Sequence, residues 1–163
     1  METKNKNFEK RDKISDETYE ELLFTIKEKH KCILIRPTGF GKTYLLAKIS
    51  NEYDKVLYLY PLNVIKKDVI EKYKDIINPK IKFMTYMKLA RVYETDKERL
   101  IDVLSKFDLI ILDEAHMAGA DKTAKALKYI MNNCKDTDYL GATATPIVVI
   151  IMMLHQSYSM ILQ

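Results

Sequence analysis

"ILIRPTGFGKTYLL", residues 33–46, reads as a buried strand, a tight loop and the opening of a helix. Ile33, Leu34 and Ile35 are apolar in succession, as a strand covered on both faces requires. Gly39 and Gly41 are expected to let the backbone approach a phosphate, whose charge is met by amides at the helix N-terminus. Lys42 would reach the β- and γ-phosphates, and the Thr43 hydroxyl would ligate Mg²⁺. The strict pattern G-x-x-x-x-G-K-[ST] asks for glycine at position 36, where this chain has Arg36; Pro37, Thr38 and Phe40 complete a variant loop. A glycine turn capping a helix beside a surface lysine would look the same in isolation, so the surrounding sequence decides.

Outward from this stretch, apolar runs alternate with helical patterns. The runs are "CILIR" (32–36), "KVLYLY" (55–60), "IKFMT" (81–85), "DLIILD" (108–113) and "DYLGAT" (138–143). Between them Leu45, Leu46 and Ile49; Ile65, Val69, Tyr73 and Ile76; Leu100, Ile101 and Leu104; and Ala124, Leu127 and Met131 recur at helical spacing. Ahead of the first run, Ser15 is a plausible N-cap for a helix that buries Tyr19, Leu22, Leu23 and Ile26. Such alternation predicts an α/β fold: a mainly parallel sheet, helices on both faces, and a ligand crevice at the carboxyl ends of the strands.

"DLIILDEAHMAG" (108–119) places Asp113 and Glu114 at the carboxyl end of a buried strand, inside that crevice. Two carboxylates there are costly unless they meet a cation. Asp113 is therefore expected to hold Mg²⁺, directly or through water, and Glu114 to orient and deprotonate a water that attacks the γ-phosphate. His116, two residues on, either carries the nucleotide state to another element or is an ordinary satisfied histidine.

Composition narrows the class. The 163 residues are 47% hydrophobic, enough for one domain with a sizeable core. Lys and Arg number 27 against 23 Asp and Glu, a formal charge of +4 that permits nucleic-acid binding without marking a dedicated basic binder. Cys32 and Cys134 lie too far apart to form a zinc or iron–sulfur motif, and fit a reduced, cytoplasmic compartment. "METKNKNFEKRDK" is charged throughout and lacks the apolar centre of a signal peptide. The run 147–154 is far shorter than the ~20 apolar residues that span a bilayer, so no membrane segment is expected.

"PTGFGKT" (37–43), "LYLYPLNVIKKD" (57–68), "DEAH" (113–116) and "GATATP" (141–146) together resemble motifs I, Ia, II and III of helicase superfamily two, in the order that family carries them. "FMTYMKL" (83–89) is similar to its less specific motif Ib. The resemblance covers roughly residues 15–146 and is to the first RecA-like motor domain of DEAH-box-like ATPases. It implies a three-layer P-loop NTPase (RecA-like) fold, with ATP held by Thr38, Gly39, Phe40, Gly41, Lys42 and Thr43. It further implies that Thr143 and Thr145 interact with His116 to couple ATP state to nucleic-acid grip. Pro61, Asn63, Thr85 and Tyr86 are implied to lie near a DNA or RNA backbone, contacted without regard to sequence, with a core aromatic as the competing reading of Tyr86. For Lys66 and Lys67 a solvated helix face is the simpler reading.

The sequence departs from the family twice. No glutamine precedes the loop, so an adenine-reading motif is unassigned. The family places a second RecA-like domain after motif III, with arginines that complete the ATP site, whereas 163 − 146 = 17 residues follow Pro146 here. The reading thus divides the chain into a flexible charged arm (1–14), a helicase ATP-binding domain (15–146) and an uncharged apolar tail (147–163). The tail is read as the mark of a truncated or frameshifted frame or a fragment, its rival being a last buried strand or helix that closes the domain. Three functions compete: a helicase-type ATPase of low activity unless another chain supplies the second domain, a non-catalytic ATP and nucleic-acid binding module, and a small-molecule kinase. The last has no reason to carry both DEAH and GATATP.

Overall fold

The computed structural model describes residues 2–119, 121–145 and 159–162, with side chains over 16–119 and 121–145. Strands β1 (Lys31–Ile35), β2 (Val56–Tyr60), β3 (Lys82–Thr85), β4 (Leu109–Leu112), β5 (Asp138–Thr143) and β6 (Ser159–Leu162) form one sheet in the order β3-β2-β4-β5-β1-β6. Every pairing is parallel. The register sets Ile33 beside Gly141 and Leu59 beside Leu112, which brings the carboxyl ends of β1, β5, β4 and β2 to one edge.

Helices α1 (Glu2–Lys29), α2 (Lys42–Ser50) and α3 (Asn63–Tyr73) pack on one face, and α4 (Tyr86–Thr95), α5 (Lys97–Leu104) and α6 (Asp121–Asn133) on the other. The two-residue period of a strand divides each run between these layers. In β2, Val56, Tyr58 and Tyr60 enter the first core with Leu22, Ile26, Leu46 and Ile49. Leu57 and Leu59 enter the second with Leu89, Leu100, Leu104 and Ile130. This three-layer arrangement is the one the alternation predicts. Strand β3 closes one side of the sheet, and its exposed Lys82 suits an edge.

Local differences have local causes. Helix α1 runs through residues 2–14, which the sequence alone suggests as a flexible arm, and Ser15 lies within the helix instead of capping it. The stretch has no proline or glycine to stop a helix. Helix α3 ends at Tyr73, and Ile76 packs on the core from the turn that follows. Helix α4 is an addition to the helices that the apolar spacing predicts. Of the tail, 147–158 and 163 lie outside the described residues; Ser159–Leu162 pair along β1. Among the described residues no helix is long and apolar enough to cross a membrane.

Candidate active site

The loop after β1 opens the site. Gly39 and Gly41 have φ of 82° and 77°, left-handed values that glycine adopts without strain. Gly41 is the N-cap of α2 and makes no side-chain cap hydrogen bond to the amides of its first turn. Thr38, Gly39, Phe40 and Gly41 are exposed, and Thr43 is half-buried. Lys42 is buried and lies across the loop, its Nζ donating to the carbonyls of Arg36 (3.0 Å) and Pro37 (3.1 Å). Arg36, standing where the strict pattern has glycine, keeps an ordinary negative φ. The variant loop needs no left-handed residue there.

Asp113 and Glu114 stand at the end of β4. The Asp113 carboxylate is buried and accepts from the Tyr58 hydroxyl (2.7 Å) and the Glu114 amide (2.9 Å). Burial pushes the carboxyl above the usual carboxylate range, and the neighbouring Glu114 pushes the same way. The Tyr58 and Glu114 hydrogen bonds and the Lys42 charge pull it back. Glu114 has φ 47°, uncommon for a residue with a side chain, and its carboxylate is partly exposed. Tight turns of this kind collect at functional sites.

His116 lies in a short 3-10 turn, Ala115–Gly119. Its Nδ1 is 3.0 Å from Thr143 Oγ1 and 3.3 Å from Glu114 Oε2. An ionised carboxylate only accepts, so this geometry calls for the proton on Nδ1. The Thr143 hydroxyl also accepts from the Thr145 amide (3.1 Å), and the Thr143 carbonyl accepts from the Arg36 amide (3.1 Å). Thr145 therefore joins through its backbone. A continuous chain of hydrogen bonds links the ends of β4, β5 and β1.

The residues expected near nucleic acid stand at the ends of β2 and β3. Pro61 is half-buried; Asn63 is exposed at the start of α3 and accepts from the Tyr60 hydroxyl (3.3 Å). Thr85 caps α4, accepting from the Lys88 amide (3.1 Å). Tyr86 corrects the expectation: it is 4% exposed and belongs to the core, its hydroxyl donating to the Asp113 carbonyl (2.7 Å). An i, i+3 packing face with Leu89 on α4 turns it inward. Lys66 and Lys67 are exposed on α3, and Lys67 pairs with Glu71 across one helical turn.

A family model described as DEAD/DEAH box helicase matches residues 13–153. The chain belongs to that family. Its fold is similar to the helicase domain of Pyrococcus furiosus Hef (TM-score 0.65, 18% identity, covering 90% of this chain and 37% of that one). It is also similar to the Sulfolobus solfataricus SWI2/SNF2 ATPase core in complex with dsDNA (0.59, 23%, 82% and 32%). A third likeness is to a hypothetical ATP-dependent RNA helicase from Sulfolobus tokodaii (0.64, 19%, 87% and 50%). The chain thus spans about a third to a half of these structures. No curated protein matches it.

Two contacts of this helicase domain escaped sequence reasoning, although Arg36, preceding the loop on its strand, is expected to point away from the γ-phosphate. Tyr58 sits in an apolar strand run, and its hydroxyl partner lies 55 residues away. Its one signal is that a buried tyrosine needs a partner for its oxygen. Arg36 faces α1, where its Nη2 bonds Thr18 Oγ1 (2.9 Å), and its guanidinium lies 4.9 Å from the Phe40 ring centroid. The first helix is thereby tied to the phosphate loop.

Proposed function

We propose that this helicase domain is the ATP-binding half of a DEAH-type helicase or nucleic-acid translocase. It hydrolyses Mg²⁺·ATP at the carboxyl ends of β1, β4 and β5, and grips a DNA or RNA backbone at those of β2 and β3. The observation that carries the reading is the 3.0 Å contact between His116 and Thr143. A site that only bound nucleotide would have no need to connect the carboxylate turn to the next strand.

In this reading the amides of the first turn of α2 and the Lys42 ammonium hold the phosphates. The donor set suits Mg²⁺: each Asp113 oxygen has one hydrogen bond and keeps a further lone pair, and Thr43 follows Lys42 on α2. Bound between Thr43 and Asp113, the ion would offset charge on the β- and γ-phosphates. Glu114, reachable by solvent and 3.3 Å from His116, takes the proton of the attacking water. The change at Glu114 passes through His116 to Thr143 and Thr145. Nucleic-acid contact is made by Pro61, Asn63 and Thr85, so it is independent of sequence and weakens with salt. The Sulfolobus solfataricus core, similar in fold, forms its complex with dsDNA, which supports this assignment. Two free buried thiols fit a cytoplasmic protein; burial pushes Cys32 up to about 12.

Lys42→Ala is the test. Nucleotide titration of the folded variant is expected to show no measurable Mg²⁺·ATP binding, and unchanged affinity would remove the phosphate-loop assignment. Steady-state turnover with unrelated oligonucleotides at two salt concentrations separates a motor domain from a module that binds without hydrolysing.

A further inference from the structure

Asp113 is held from both faces of the sheet. Tyr58 projects from β2 into the core beneath α1, α2 and α3, is fully buried, and donates to Oδ2 of the carboxylate at 2.7 Å. Tyr86, the first residue of α4, lies in the opposite core and donates to the Asp113 carbonyl at 2.7 Å. The backbone amide of Asp113 donates to Leu59 (2.9 Å), and the Glu114 amide holds Oδ1. Backbone and side chain of one residue are fixed by hydrogen bonds to β2, α4 and the turn after β4.

We propose that Tyr58 is a positioning residue of the metal site, its hydroxyl fixing the Asp113 carboxylate in the orientation that receives Mg²⁺ while Tyr86 holds the same residue's backbone. This rests on the reading of the loop and Asp113 as a Mg²⁺·ATP site. A tyrosine suits the task because its hydroxyl orients the carboxylate without cancelling its charge. A lysine or arginine would compete with the cation, and an aliphatic residue would leave Oδ2 dry and unpaired. Hydrogen bonds to metal-binding carboxylates of this kind typically matter 10–100-fold for metal affinity.

The same chain holds a matched comparison. At the opposite end of the sheet Tyr53 donates to Asp138 Oδ2 (2.6 Å), while His30 Nδ1 lies 2.8 Å from Oδ1. That tyrosine–carboxylate pair ties β5 to the loop before β2 and to the end of α1, with no phosphate loop near it. It separates the general effect of losing a buried hydroxyl from an effect on metal.

The experiment titrates Mg²⁺ at fixed ATP and follows nucleotide binding calorimetrically, with affinity in EDTA measured separately. Tyr58→Phe is expected to raise the half-saturating Mg²⁺ concentration roughly 10–100-fold while the affinity in EDTA stays unchanged. Tyr53→Phe is expected to leave both as in the wild type, and 4-aminophenylalanine at position 58, which restores an N–H donor, to recover most of the loss. Should circular dichroism show that Tyr58→Phe does not fold, 4-fluorophenylalanine serves as the donor-free variant that fills the oxygen's space. A wild-type Mg²⁺ requirement in the donor-free variant overturns the role of Tyr58 and leaves the nucleotide site standing. An equal shift in Tyr53→Phe also overturns it, as a general effect of lost buried hydroxyls. Wild-type protein whose ATP binding ignores Mg²⁺ overturns both readings together.

Discussion

Asp113 is a carboxylate placed where charge is disfavoured, and the cost is measurable. A carboxyl whose folded-state pKa is raised binds its proton more tightly folded than unfolded. Its contribution to stability is intact below the ordinary value of 3.8 and is lost as pH rises through the raised value. Asp113→Asn keeps the shape, and the Tyr58 hydroxyl can rotate to accept from the amide. This variant is expected to melt at a higher temperature than wild type at pH 7, the gain vanishing as pH falls below 3.8. A lower Tm at pH 7 would mean that the hydrogen bonds from Tyr58 and Glu114 outweigh burial. Gly41 carries a different cost. A Cβ there would meet nothing within 4 Å, so the penalty for Gly41→Ala is the left-handed backbone alone, about 1–2 kcal/mol in a denaturant titration. Residues of this kind were legible in the sequence because spacing along the chain defines them: Gly39, Gly41, Lys42 and Thr43 sit on one loop and its helix. Tyr58 and Tyr86 were not, because what defines them is a partner 55 or 27 residues away.

At the scale of elements, the five apolar runs and the strands β1 to β5 agree to within a residue at each end, and in β1, β2, β4 and β5 burial on both faces leaves a near-continuous apolar signal. Helix α4 was illegible for the opposite reason. Thr85 is both the last residue of β3 and the N-cap of α4, so strand passes to helix with no glycine, proline or loop between them. The same double role makes Thr85 a sharp probe. Thr85→Ala removes the acceptor for the Lys88 amide and is expected to cost about 1 kcal/mol of stability in urea, whereas Thr85→Ser keeps the cap and the stability. Nucleic-acid affinity measured on the same pair tests the proposed contact of Thr85 with a nucleic-acid backbone separately. An alanine variant as stable as wild type would show that water replaces the cap.

Across the whole molecule, the sheet order puts β4 and β5 between β1 and β2. With strands about 4.8 Å apart, the phosphate loop and the Pro61–Asn63 turn are separated by roughly 14 Å along one edge. In the proposed reading one domain holds nucleotide and nucleic acid side by side, and His116 links the turn after β4 to β5 beside it. Completion of the nucleotide site is another matter. Arg36, the arginine beside the loop, is committed to Thr18, while Arg91 and Arg99 lie on α4 and α5, packed against the other face of the sheet. An arginine at the transition state is worth about 10³–10⁵ in rate, and the exposed Thr38–Gly41 segment leaves its side of the phosphates open to a second body. With these three arginines placed elsewhere, this domain by itself is expected to hydrolyse ATP slowly and to separate no strands. Adding a separately expressed second RecA-like domain from a related helicase should stimulate steady-state hydrolysis, and Glu114→Gln should abolish that stimulation without loss of nucleotide binding. Strand separation by the chain on its own would show that closure between two domains is not how this motor works. Stimulation that survives Glu114→Gln would move the base away from the DEAH turn.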